Sequence, residues 1–319
     1  MAVNPLQLVE VDDDALWDAS VDASPQGTVF CRAAYLRALG MPVRRLSVQS
    51  GGRILALLPA VEDASGRRLL QPPFTPYQGF LFLHEAHTLP RQRVLDEFRL
   101  GEFLVAELAR RYDAVSLALS WQFTDLRPFL WHNYHEAGQP RYQATPRYTA
   151  LLKLQDVAAE TITAEARACR RQELRKAAPC TVSEGHDVDT FMALYAQTFA
   201  RQDIALPDET LALVRRITEA AVEHGYGRLS ACSTPQGTAS MNLFLYDQRR
   251  AYYLFAANDP ALRNTGAATR LMFDNIEHAR QRGLAELDFV GVNSPNRGDF
   301  KLSFNPELKL YFEVALQAA

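Results

Sequence analysis

Residues 251–304 read AYYLFAANDPALRNTGAATRLMFDNIEHARQRGLAELDFVGVNSPNRGDFKLSF. Residues 251–257 form a short aromatic and apolar run closed by Asn258, Asp259 and Pro260, the pattern of a buried strand that ends in a turn. Ala268, Leu271, Met272, Ile276 and Ala279 then recur three and four apart, and Gly283 stands where a left-handed residue ends a helix. Residues 284–290 read as the next strand. The unit is a strand-helix-strand crossover, whose ligand site is expected at the strand ends.

Between strand and helix lies Arg263-Asn264-Thr265-Gly266-Ala267-Ala268. The first turn of a helix has free backbone N–H groups and a partial positive charge, and small residues let an anion approach them. Arg-x-x-Gly-x-Ala in this setting resembles the pyrophosphate-binding motif of the GNAT acyltransferase superfamily. The segment's order, with Phe300-Lys301-Leu302-Ser303-Phe304 near the C-terminus, resembles the Fem-type branch, whose members carry Phe-Lys-x-x-Phe there. Residues 147–152, the basic run 170–177 and residues 191–202 are similar to the elements that open the family's second domain. Asn305 departs from the glycine of many members, and no long insertion supplies the helical arm of peptidoglycan-bridge enzymes.

Working outward, 319 residues suit two domains of ordinary size, and 48% apolar with 22% charged residues is a globular composition. No apolar run reaches membrane-spanning length and no signal-peptide pattern opens the chain, so a cytoplasmic location is expected. Four scattered cysteines argue against a zinc site or disulfide framework. The pairs His84/His87 and His132/His135 lack companion ligands, so no metal is expected. A net charge of -3 gives no global attraction to DNA or RNA.

The first half reads as helices over 15–19 and 30–39, an antiparallel meander over 46–49, 54–61 and 68–71, a helix from Pro90 with stripe Val94, Phe98, Gly101, Val105 and Leu108, and a strand over 113–119. The second half repeats that order: helices over 163–177, 188–202 and 207–224, a meander over 227–257, a helix over 268–282 and a strand over 284–290. Glycine and prolines at 138–149 mark the boundary. The expected architecture is α/β (α+β): two tandem GNAT-like domains, each a mixed, mostly antiparallel sheet flanked by helices. The domains are 1–146 on the acceptor side and 147–319 for donor binding and catalysis, with the last strand returning to the first domain.

Acyl transfer to an amine needs an activated donor, a deprotonated amine, stabilisation of the oxyanion and a proton for the leaving group. In a GNAT-like sheet the splayed strand supplies oxyanion contacts, which falls near Leu254 and Phe255. The resemblance makes Lys301 the catalytic cation and Arg263, Gly266, Ala267 and Ala268 the phosphate contacts of acyl-CoA or acetyl-CoA. Asp288 shares a strand face with Glu286 and is the candidate to accept or relay the amine proton. Tyr253, Asn293 and Phe300 flank the strand ends as substrate contacts. The resemblance also brings Tyr77 and Gln78, in the proline-rich loop 71–79, to the acceptor, and Arg201 near the acceptor's phosphates. Arg167, Arg171 and Arg175 make one face of a helix basic, either solvated or set against an anionic donor. The reactions implied are N-acyl transfer from acyl-CoA to a small or envelope-related amine, and Fem-type transfer from aminoacyl-tRNA. A fold that has lost its reaction and only binds is the third reading.

Overall fold

The computed structural model describes residues 5–184, 187–200 and 205–317. In chain order the elements are β1 (Gln7–Glu10), α1 (Asp14–Ala23), α2 (Ala33–Ala38), β2 (Val43–Ser50), β3 (Arg53–Val61), β4 (Arg68–Leu69), β5 (Leu81–Phe82), α3 (Pro90–Arg111), β6 (Ala114–Ala118), α4 (Arg127–Trp131) and β7 (Gln143–Lys153). There follow α5 (Ala159–Glu165), α6 (Ala168–Lys176), β8 (Thr181–Glu184), α7 (Val188–Ala200), α8 (Asp208–Glu223), β9 (Gly227–Thr234), β10 (Gly237–Tyr246), β11 (Arg250–Asn258), α9 (Ala267–Gln281), β12 (Glu286–Asp288), α10 (Pro295–Leu302) and β13 (Glu307–Gln317). The chain divides into two compact units, residues 1–147 with 310–319, and residues 148–309.

In the first unit, Asp13 caps α1 by accepting the N–H groups of Ala15 and Leu16. The expected helix over 30–39 is a 3₁₀ turn at Val29–Cys31 followed by α2, separated at Arg32, whose ψ is 149°. The three-strand meander is corrected. β2 and β3 pair antiparallel, but β4 keeps only an antiparallel bridge from Leu69 to Glu62 and otherwise lies parallel to β6, and β1 and β5 complete a sheet of order β1-β2-β3-β5. The stripe of α3 is also corrected: Gly101, Val105 and Leu108 are buried, while Val94 is 53% exposed.

In the second unit the strand order is β7-β12-β11-β10-β9-β8. β9, β10 and β11 run antiparallel, β11 and β12 are parallel, and α9 is the crossover between them. The apolar face of α9 packs on this sheet, where Met272, Ile276 and Ala279 meet Phe244, Tyr246 and Tyr253. The single helix expected over 163–177 is two, α5 and α6. The chain is extended at Ala166 and Arg167, where the Arg167 N–H is bound by the Ser303 carbonyl at 2.9 Å. The strand expected over 284–290 is regular only at β12. The loop expected after it contains α10, with Ser294 at the N-cap and Pro295 in the first turn.

Candidate active site

Parallel pairing between β11 and β12 ends at Tyr252 opposite Asp288, and β11 runs on to Asn258 without it. Just past that point β11 bulges. Leu243 of β10 faces Phe255 and Phe244 faces Tyr253, so Leu254 is the extra residue. A bulge interrupts the hydrogen-bond ladder and re-aims backbone groups. The amides expected to meet an oxyanion therefore lie on the part of β11 that β12 no longer pairs.

Lys301 faces the same strand ends from α10. Its Nζ donates to the carbonyls of Val290 at 2.5 Å and Gly291 at 3.0 Å, and lies 5.5 Å from the centre of the Tyr253 ring. An ammonium has three donors, so one remains for a substrate. Burial pushes its pKa down to about 8, with the Arg297 charge lowering it further and Asp288 opposing. Val290 and Gly291 both have left-handed backbone, with φ of 50° and 65°. For a β-branched residue such as Val290 that conformation costs about 1–3 kcal/mol. It belongs to the turn whose carbonyls hold the lysine.

Asp288 is fully buried at the end of β12. Its Oδ1 accepts the Thr149 hydroxyl at 2.5 Å and the Val290 N–H at 2.8 Å, and the Gly291 N–H reaches Thr149 Oγ1 at 3.3 Å. The carboxylate thus holds the turn that holds Lys301. Glu286, on the same strand, is engaged with Arg250 at 2.9 Å.

Other expected contacts fall elsewhere. Asn293 clamps the backbone of Tyr148, accepting its N–H at 2.8 Å and donating to its carbonyl at 3.0 Å. Phe255 packs on Tyr195 of α7, with ring centres 5.7 Å apart. Phe300 packs on Phe304 and carries the Arg170 guanidinium 5.0 Å over its ring. Tyr77 and Gln78 do not face open space. They are buried in the first unit, Tyr77 against Phe30, Trp121 and Tyr311, and Gln78 donating to Pro59 O at 2.6 Å. Arg201 lies outside the described residues.

At the start of α9, Gly266 has a φ of 82° and is buried against α6; a β-carbon on it would lie 2.4 Å from Glu173 O. Ala267 is buried as well, Ala268 is half-buried and Arg263 is exposed. Thr269 donates its hydroxyl to the Glu173 carboxylate and accepts from Arg170 at 3.0 Å. Arg170 also pairs with Glu173 at 2.7 Å. With α6 seated here and a carboxylate already in the first turn, these residues do not fit a pyrophosphate on the Gly266 turn. The basic face of α6 is spent in part. Arg167 pairs with Asp299 at 2.5 Å, and Arg171 donates to the carbonyls of Ala164 and Ala166 at the end of α5.

Thr149 and Arg297 were missed from the sequence. Arg297 is exposed, with its guanidinium 5.0 Å from the centre of the Phe199 ring. Its spacing to Lys301, i to i+4, was the available signal once 295–302 is read as helix. Among the described residues, no group of His, Cys, Asp and Glu suits a metal ion, and no helix is long and apolar enough to cross a membrane.

Comparison with known proteins bears on the fold. Residues 158–302 match the family model described as an acetyltransferase (GNAT) domain. Among solved structures, FemX is similar over 96% of both chains, with a TM-score of 0.67 and 13% identity. A tandem GNAT protein from the clavulanic acid biosynthesis pathway is similar over 98% of both, with a TM-score of 0.53 and 12% identity. The C-terminal domain of a putative lysylphosphatidylglycerol synthetase from Agrobacterium fabrum is similar over 96% of this chain and 92% of that one, with a TM-score of 0.53 and 14% identity. No curated protein sequence matches the chain. The fold is a GNAT fold, mixed α/β with helix-flanked sheets. More particularly, it is the Fem-like, tandem form of that fold.

Proposed function

We propose that the second unit is an N-acyltransferase that joins an acyl group to the amine of a small or cell-envelope-related acceptor. The observation that carries this reading is Lys301, whose ammonium sits on two carbonyls and 5.5 Å from the centre of the Tyr253 ring, next in sequence to the bulge at Leu254. The acceptor nitrogen attacks the donor carbonyl carbon and the C–N bond forms. Backbone N–H groups at the bulge and the free N–H of Lys301 meet the oxyanion. The bond from carbon to the donor's sulfur or oxygen then breaks, and the leaving atom takes a proton from Lys301. The proton shed by the attacking amine replaces it, so the enzyme ends as it began. Asp288 positions Lys301 through the Val290 turn rather than touching substrate.

The donor in this reading is acyl-CoA, with its phosphates held away from the Gly266 turn, which α6 and Glu173 fill. A second reading, aminoacyl-tRNA as donor, is favoured by the seating of α6 and Glu173 over the Gly266 turn. Calorimetric titration with CoA and with tRNA separates the two. Binding of CoA alone retains the first, and binding of tRNA alone retains the second.

Transfer should follow the ammonium form and fall above a pH of about 8. The small residual transfer of Lys301→Arg should lack that limb, because guanidinium stays charged. A limb unchanged in the arginine variant would assign it to another group. Stability moves the other way. The folded pKa lies below the ordinary 10.5, so between about 8 and 10.5 the unfolded chain holds more protons and stability rises with pH.

A further inference from the structure

Two polar side chains are buried on the α9 side of β10. Asn242 is 2% exposed and Ser240 is fully buried. Among the described residues, Asn242 Nδ2 and Ser240 Oγ take no hydrogen-bond partner. They alternate along β10 with Phe244 and Tyr246, which pack in the core beneath α9. Ser230, opposite Asn242 on β9, is satisfied by Asn275 of α9 at 2.9 Å. A buried polar group without a partner is destabilising and needs a reason. Apolar residues at both positions would have continued the core.

Position supplies the reason. Asn242 pairs across β10 and β11 with Ala256, and Ser240 with Asn258. Ala256 lies two residues past the bulge at Leu254 and is half-buried. Asn242 thus lies one strand in from the stretch of β11 that runs on after its pairing with β12 has ended at Tyr252.

We infer that Asn242 and Ser240 read the acyl part of the donor, and that they select one carrying an oxygen acceptor near its carbonyl: a hydroxyacyl group or a hydroxyl-bearing aminoacyl group. The inference rests on the acyl-transfer reading above and adds the specificity that reading leaves open. The amide N–H of Asn242 donates to the acyl oxygen, and the Ser240 hydroxyl completes the contact. A donor lacking that oxygen leaves both groups unpaired, which is how a polar pocket rejects an apolar analogue.

The test offers the full chain matched donors on both carriers: hydroxyacetyl-CoA against acetyl-CoA and propionyl-CoA, and seryl-tRNA against alanyl-tRNA. Wild-type protein is expected to favour the hydroxyl-bearing member by about tenfold or more in kcat/KM. Asn242→Leu should lose that preference and melt at or above the wild-type temperature, because it removes an unpaired donor from the core. Ser240→Ala, a smaller change, should lose part of the preference and guards against misfolding of the leucine variant. Transfer with no preference, or a lower melting point in both variants, overturns the inference and leaves acyl transfer standing. No transfer from any donor overturns acyl transfer and the inference with it.

Discussion

Lys301→Ala is expected to lower kcat/KM for amide formation by about a hundredfold to ten-thousandfold, the range for losing a positioned acid or one oxyanion donor. The loss should appear mainly in kcat, since the lysine acts on charge that develops after binding. Lys301→Arg should restore little. A planar guanidinium cannot take the place of a compact ammonium held at 2.5 and 3.0 Å by the carbonyls of Val290 and Gly291. Both variants leave those carbonyls less well bonded, so a thermal melt must accompany the kinetics. An alanine variant that folds and transfers at the wild-type rate would remove Lys301 from the mechanism.

Gly266→Ala should destabilise the chain by about 2–5 kcal/mol, from two causes. A side chain at a φ of 82° is strained, at roughly 1–2 kcal/mol, and a β-carbon 2.4 Å from Glu173 O overpacks the contact with α6 at about 1–3 kcal/mol. The shift is read as the urea midpoint. Gly225→Ala is the control, because it has a similar positive φ of 68° and no neighbour within 4 Å, so it carries the strain without the clash. Equal midpoints for the two variants would mean that α6 is not seated on the α9 start.

The crossover from β11 through α9 to β12 was legible because its signals are local: an aromatic run closed by Asn-Asp-Pro, a stripe spaced three and four apart, and Gly283 after the last turn. What the sequence concealed depends on distant partners. The break between α5 and α6 is held by the carbonyl of Ser303, far along the chain. A proline-rich aromatic loop reads alike whether its rings face solvent or core. Tyr77 turns inward because Phe30, Trp121 and Tyr311 meet it there. Lys301 and Asp288 were readable as candidates. Their link through Thr149 and the left-handed Val290 turn has no sequence pattern, since β-branched residues rarely adopt that backbone. Asn305 is the reverse case. Its φ of 63° explains why glycine suits the position and why asparagine, which tolerates that region, can stand in for it. α10 hid behind Gly298 and Asp299, although Ser294 and Pro295 marked its start.

The most direct test of the account is to incubate the full chain with isotope-labelled acyl-CoA and, separately, labelled aminoacyl-tRNA in the presence of a panel of primary amines, and to look for labelled amide by mass spectrometry. The account predicts amide from at least one donor, with the label on the acceptor nitrogen. Protein that melts cooperatively yet forms no amide from either donor would contradict it, and would leave a GNAT fold that binds without transferring.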